Sequence, residues 1–181
     1  MIIIFGPPGA GKSVQGQMLA ARMGWRWLST GQLLRDTRDQ DIAKYLQVGQ
    51  LVPHQVVTRV MSEAIHKSTD IKRIILDGFP REVEQAKWLV DSQPDHGRSI
   101  NLLIVLDVSR DEISKRLSIR GRNDDQPEVI DARVSEYFSE TQPVIDFFDA
   151  RGADVVHIDG EGSVGEVHDR IVAELEKRDL V

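Results

Sequence analysis

Cysteine is absent from this 181-residue chain, which excludes a disulfide framework and a cysteine-ligated zinc site. Long hydrophobic runs are missing too. The longest, residues 1–5 and 102–106, are far too short to cross a bilayer. No basic stretch precedes an apolar one at the start, so no secretory leader is expected and the expected compartment is the cytoplasm. Positive charge is in deficit. A formal net charge of −6 argues against broad binding along a nucleic-acid backbone, which needs a basic face. With 40% hydrophobic and 29% charged residues, the rest suits one folded domain with a substantial core. No internal repeat or low-complexity tract stands out.

Of the 23 basic residues 16 are arginine, the side chain that grips phosphate oxygens two at a time. For any one arginine, surface salt bridging is the bland alternative, so position must decide.

Apolar, β-branched segments at residues 1–5, 73–77, 101–107 and 155–158 are predicted strands, with a weaker fifth at 25–29. Helical patterns occupy 12–23, 82–91, 110–119, 130–150 and 164–177. Strands alternating with helices give an α/β fold with a parallel sheet covered on both faces, and ligands bind beyond the carboxyl ends of such strands. Residues 30–60 hold short helical pieces and the turn Gly49-Gln-Leu-Val-Pro53 but no good strand, as an inserted helical flap would. Residues 121–128 are predicted as a polar loop between two helices, and 91–99 as a surface loop.

Residues 6–13 read Gly-Pro-Pro-Gly-Ala-Gly-Lys-Ser, a full match to G-x-x-x-x-G-K-[ST] between a strand and a helix. Glycines let the backbone curl so that its N–H groups point at phosphate oxygens, and the helix start adds its positive end. Lys12 supplies a point charge for the β- and γ-phosphates, and Ser13 can meet Mg²⁺ or a phosphate oxygen. The loop fixes nucleotide binding but not reaction type.

Other segments supply candidates for the rest of a site. Asp77, at the carboxyl end of a strand, is placed to hold Mg²⁺ directly or through water; a turn former is the alternative. Arg81 follows in Asp77-Gly-Phe-Pro-Arg81. In Ser29-Thr-Gly-Gln-Leu-Leu-Arg35, Thr30 is a candidate helix cap and Arg35 a candidate anion contact. Arg116, Arg120, Arg122 and Arg133 flank the polar loop, where an anion would relieve their repulsion; Asp124 and Asp125 offer a salt-bridged alternative.

In this order the segments resemble the adenylate kinase family of nucleoside monophosphate kinases over almost the whole chain. The likeness rests on the phosphate loop, S-T-G-x-L-L-R at 29–35, G-x-L-V-P at 49–53, D-G-F-P-R-x-x-x-Q at 77–85, Arg120, Arg122-x-Asp-Asp, Arg133, residues 140–145 and the turn at 159–162. The resemblance implies a P-loop NTPase-type parallel sheet of about five strands in a single kinase domain. Its core would be 1–29, 60–120 and 132–181, with an NMP-binding flap at 30–59 and a short lid at 121–131. It implies Mg²⁺-dependent, reversible transfer of the ATP γ-phosphate to AMP, giving two ADP. A monomer is expected, with nucleotides as partners and, from the charge and the short apolar runs, neither nucleic acid nor membrane.

Carried over residue by residue, Gly9, Ala10, Gly11, Lys12, Ser13 and Val14 would cradle ATP, with Arg116, Arg120 and the Gly162 backbone. Thr30, Arg35, Gln50, Leu51, Val52, Gly78, Phe79, Pro80, Arg81 and Gln85 would hold AMP. Arg122 and Arg133 would close on the phosphates, and Lys12, Arg81, Arg122 and Arg133 would be the catalytic group. Asp77 would hold Mg²⁺ through water. Thr30 and Gln85 favour AMP, because pyrimidine-directed relatives more often carry Ala and Asn there, and an amide can both donate to and accept from an adenine edge.

The chain also departs from the family. Gly11-Lys-Ser-Val-Gln15 stands where G-K-G-T-Q is usual, so Val14 lacks a hydroxyl that Ser13 supplies one residue earlier. Partial compensation is expected, so Val14→Thr should raise turnover by no more than about tenfold, ~1.4 kcal/mol. Gln32 replaces a common acidic residue, and His54, expected as a solvent-facing cap, follows the flap proline. The lid is too short for the zinc-binding form. Three alternatives remain at this point: a UMP/CMP or GTP-using kinase, a nucleotide-binding regulatory protein with weakened catalysis, and a small GTPase. The last lacks an N-K-x-D run.

Overall fold

The computed structural model describes residues 1–37, 39–47, 52–120 and 127–181, with backbone alone for Arg120, Pro127 and Glu128. Gln50, Leu51 and Arg122, singled out above, lie outside the described residues, as does the side chain of Arg120.

Five apolar segments form one all-parallel sheet: β1 (Ile2–Phe5), β2 (Arg26–Ser29), β3 (Ile74–Asp77), β4 (Leu102–Asp107) and β5 (Val155–Asp159). Their order is β2-β3-β1-β4-β5. Side chains alternate across the pleat. Ile3, Phe5, Leu76, Leu103 and Val105 therefore join one core cluster, while Ile2, Ile4, Ile75, Leu102, Ile104 and Leu106 join another. Two apolar faces require helices on both. The connecting helices are α1 (Lys12–Met23), α2 (Thr30–Asp36), α3 (Gln40–Gln47), α4 (His54–His66), α5 (Val83–Asp91), α6 (Gln93–His96), α7 (Arg110–Arg120), α8 (Pro127–Glu136), α9 (Gln142–Asp149) and α10 (Val164–Glu176). Leu19 of α1 and Ile171 and Leu175 of α10 pack on the second cluster; Met61 of α4, Leu89 of α5 and Phe148 of α9 pack on the first. No helix among the described residues is long and apolar enough to cross a membrane.

The contact between α1 and β2 is unusually close. A Cβ at Gly16 would lie 2.6 Å from Trp27 Cδ1 and 2.8 Å from its Nε1. In an open helix, alanine for glycine gains about 1 kcal/mol. Here the added methyl overpacks a helix–sheet contact, which costs about 1–3 kcal/mol. Gly16→Ala is therefore expected to lower the melting temperature, and an unchanged or raised value would refute the contact.

Several local expectations are corrected. Residues 91–99 are not all loop, because α6 forms there; His96 is buried, and its N–H donates to Ser92 O at 3.1 Å. Four helical residues around a proline give no periodic pattern to read. The helix expected at 130–150 is instead α8, a π-helical turn at Tyr137–Thr141 and α9. Pro143 has no N–H to donate one turn back, so the regular ladder is interrupted just where the π turn meets α9. At the other end, α8 starts at Pro127, a residue suited to a first helical position, inside the loop expected at 121–128. Finally, neither expected cap forms. Ser29 and Pro53 occupy the N-cap positions of α2 and α4, leaving Thr30 and His54 as the first helical residues.

Candidate functional site

The strand ends align on one edge of the sheet, with Ile4 and Ser29 both in register with Asp77 and Asp107 beside Asp159. A cleft of about 1310 Å³ opens over this edge. The loop after β1 forms its floor. Gly9 and Gly11 adopt φ of 82° and 94°, left-handed values that suit glycine and curl the chain before α1. Among the described residues no side chain caps α1, whose N-terminus opens on the cleft, and a helix N-terminus suits an anion. Lys12 Nζ donates to Gly6 O at 2.6 Å and Pro7 O at 2.9 Å, which folds the ammonium back over the loop.

One flank comes from the β2 and β3 ends. Arg35 of α2 donates to Gln32 Oε1 at 3.2 Å, and Arg81 Nε donates to Gly78 O at 3.1 Å. Thr30 lies between Ser29 and Gly31, which line the cleft, and its buried Oγ1 has no hydrogen-bond partner among the described residues. Thr30 itself does not line the cleft. The opposite flank comes from α7, α8 and the turn after β5. Arg116 donates from Nε to Glu112 Oε1 at 2.8 Å and from a terminal nitrogen to Gly160 O at 2.9 Å. Arg133 and Gly162 also line the cleft.

Behind the loop, Lys12, Pro80, Arg81, Arg133 and Glu136 surround a small cavity of about 50 Å³. Three of the four predicted catalytic residues thus meet, from three separate elements. Glu136 Oε1 stands 3.9 Å from Arg81. Burial raises the Glu136 pKa, and Arg81 and Arg133 oppose that shift. Such concentrated positive charge suits a polyphosphate.

Other predicted residues stand outside the cleft. Val52 and Phe79 are buried in the core, Phe79 edge-on to Trp88 at 5.9 Å between ring centres. Gln85 is buried; its Oε1 accepts from the Arg81 N–H at 2.9 Å and its Nε2 donates to Glu82 at 2.7 Å. Sequence reasoning missed Glu136 and Gly160. Glu136 lies one helical turn after Arg133, a spacing that could have flagged it, and Gly160 sits inside the very turn from which Gly162 was taken.

A divalent cation fits the donor set at the loop. Ser13 Oγ donates to Asp77 Oδ2 at 2.6 Å, presenting hard oxygen ligands beside the phosphate position. Among the described residues no group of three or more His, Cys, Asp or Glu forms a metal cage.

Gln15, also overlooked, ties α1 to α10. Its Nε2 donates to Val164 O at 2.9 Å, so its Oε1 accepts from His168 Nδ1 at 3.1 Å and the ring proton must sit on Nδ1. Burial, then Arg22, lowers the His168 pKa, with Asp169 opposing. Burial and then His66 lower that of His96, whose two ring nitrogens have no partner among the described residues. Both folded pKa values lie below the ordinary 6.5, so the unfolded chain takes up protons first as pH falls. The contribution of these two histidines is therefore complete above about pH 6.5 and declines below it, toward the folded pKa values. The urea midpoint should drop between pH 7.5 and 5.5, and drop less in His96→Phe. Equal drops would exclude His96 as a contributor.

A parallel α/β sheet with a phosphate loop, a magnesium-compatible hydroxyl–carboxylate pair and converging arginines defines a P-loop nucleotide-binding protein of the phosphoryl-transfer type. A family model described as adenylate kinase matches residues 4–153. With that match over most of its length, the chain belongs to the adenylate kinase family. Curated relatives agree. An adenylate kinase of Maricaulis maris is 37% identical over 98% of this chain and 99% of its own. One of Mycobacterium ulcerans is 36% identical over 97% and 99%, and one of Nocardia farcinica 34% over 96% and 98%.

Proposed function

We propose that this chain is an ATP:AMP phosphotransferase, reversibly moving the γ-phosphoryl of ATP to AMP to give two ADP. The observation that carries the residue-level reading is the convergence of Lys12, Arg81 and Arg133 on the phosphate loop, between two flanks that can each hold a nucleotide. Phosphoryl transfer asks for alignment and charge neutralisation rather than a protein nucleophile. The loop N–H groups and Lys12 would hold the donor phosphates; Arg116 and the Gly160–Gly162 backbone would face the rest of the donor. Thr30, Arg35, Arg81 and Gln85 would face the acceptor. Although the Gln85 amide is engaged, its oxygen keeps a second lone pair and its nitrogen a second proton for a purine edge. Mg²⁺, when bound, would neutralise phosphate charge beside Ser13 and Asp77.

Residues 30–59 would act as the acceptor flap and 121–131 as the lid, closing to exclude the water that would otherwise take the phosphate. The enzyme would be cytoplasmic, monomeric and part of nucleotide biosynthesis. A panel of AMP, UMP, CMP and GMP against ATP and GTP, with Mg²⁺, tests the assignment. The best turnover is expected with ATP and AMP; best turnover with another acceptor would refute it.

A further inference from the structure

The turn after β5 is held mainly by side chains reaching its backbone. Arg170 of α10 donates from one terminal nitrogen to Asp159 O at 2.7 Å and to Glu161 O at 2.6 Å, and stands 3.4 Å from the Asp159 carboxylate. From the cleft, Arg116 donates to Gly160 O at 2.9 Å. Further along, the Val167 N–H donates to Ser163 O at 3.2 Å, and Gln15 donates to Val164 O at 2.9 Å. From 159 to 164, Gly162 is thus the residue to whose carbonyl nothing donates among the described residues. Gly162 lines the cleft, and a Cβ there would lie 3.8 Å from a terminal nitrogen of Arg170. A carbonyl oxygen can only accept. Adenine carries an exocyclic amino group, which donates; guanine carries an oxygen at the same place, which repels. A carbonyl kept in one direction therefore tells the two bases apart, and one free to turn does not.

We propose that Arg170 is a positioning residue for the donor base: by tying the carbonyls on either side of Gly160, it fixes the Gly162 carbonyl toward the cleft and sets the preference for an adenine over a guanine nucleotide. Two carbonyls bound to one cationic nitrogen keep their peptide groups from turning over. The ordering is then complete before the nucleotide arrives, so binding does not have to supply it. Arg170 itself touches neither nucleotide. The inference rests on the donor site proposed above and on nothing about the acceptor.

Calorimetry with the β,γ-methylene analogues of ATP and GTP and with inorganic tripolyphosphate, each with Mg²⁺, tests it. Wild-type protein should bind the ATP analogue about tenfold or more tightly than the GTP analogue. Arg170→Met keeps an unbranched stem but no donor. It should weaken the ATP analogue about tenfold and leave the GTP analogue and tripolyphosphate within about twofold. Arg170→Lys, whose ammonium can donate to two carbonyls, should recover most of the loss. Equal weakening of the two nucleotide analogues would make Arg170 a general support of the turn and overturn the proposal. An unchanged ATP-analogue affinity in Arg170→Met, or equal wild-type affinity for the two analogues, would overturn it as well. Should Arg170→Met fail to fold by thermal melting, Arg170→Gln carries the same comparison. If wild-type protein bound none of the three ligands, the donor site itself would fall and the proposal with it, an outcome distinct from an Arg170 effect.

Discussion

Lys12→Ala is expected to slow ADP formation from ATP and AMP by about 10³-fold, ~4 kcal/mol of transition-state stabilisation. The ammonium already sits over the loop, held by the carbonyls of Gly6 and Pro7 at 2.6 and 2.9 Å. Phosphate oxygens would offer it charged acceptors in place of these neutral carbonyls. Negative charge shifts onto the transferring group and the leaving oxygen as the reaction proceeds, so the cation gains more in the transition state than in the ground state. The loss should therefore fall mainly on kcat, with a smaller rise in the KM for ATP. A coupled assay for ADP reads both. Losing two hydrogen bonds to carbonyls should cost about 1–2 kcal/mol of stability, which a melting curve separates from the catalytic effect. A variant within tenfold of wild type would remove Lys12 from the catalytic group.

The features legible in the sequence are those whose cause is local. Buried parallel strands read as continuous apolar runs, so residues 73–77 and 101–107 reappear closely as β3 and β4. The phosphate loop is eight consecutive residues, and its chemistry is complete within them. What the sequence hid depends on contacts between distant positions or on competition between neighbours. The Ser13–Asp77 bond joins residues 64 apart, and Glu136 meets Arg81 across 55 residues. Thr30 was readable as a helix cap or as a ligand contact. Ser29 takes the cap position, which leaves the buried Thr30 hydroxyl with no hydrogen-bond partner among the described residues. Pro143 was visible throughout, yet its consequence, a π turn rather than a clean helix break, emerges only where that turn packs against both α8 and α9.

Arg81→Lys tests the acceptor flank at constant charge, and is expected to lower kcat/KM about 10²-fold, ~2.7 kcal/mol. The Arg81 Nε is engaged with Gly78 O at 3.1 Å, which fixes the plane of the guanidinium. Its NH1 stands 3.9 Å from Glu136, beyond hydrogen-bond length. The fork is thus oriented by the backbone and balanced by a carboxylate that does not hold it tightly. Burial already works against the charge on Glu136, so an arriving phosphate, richer in charge and able to accept two parallel bonds, should win the competition for Arg81. Lysine keeps the charge but has neither the Nε contact nor the planar pair of donors. The two nucleotides should still bind, but with the phosphates free to rotate out of line, so most of the loss should appear in kcat. Arg151→Lys is the matched control: its guanidinium lies 3.6 Å over the Phe147 ring, away from the cleft, and its activity should stay within twofold. If Arg81→Lys and Arg151→Lys behaved alike, charge alone would suffice at position 81, and bidentate alignment of the acceptor phosphate would be wrong.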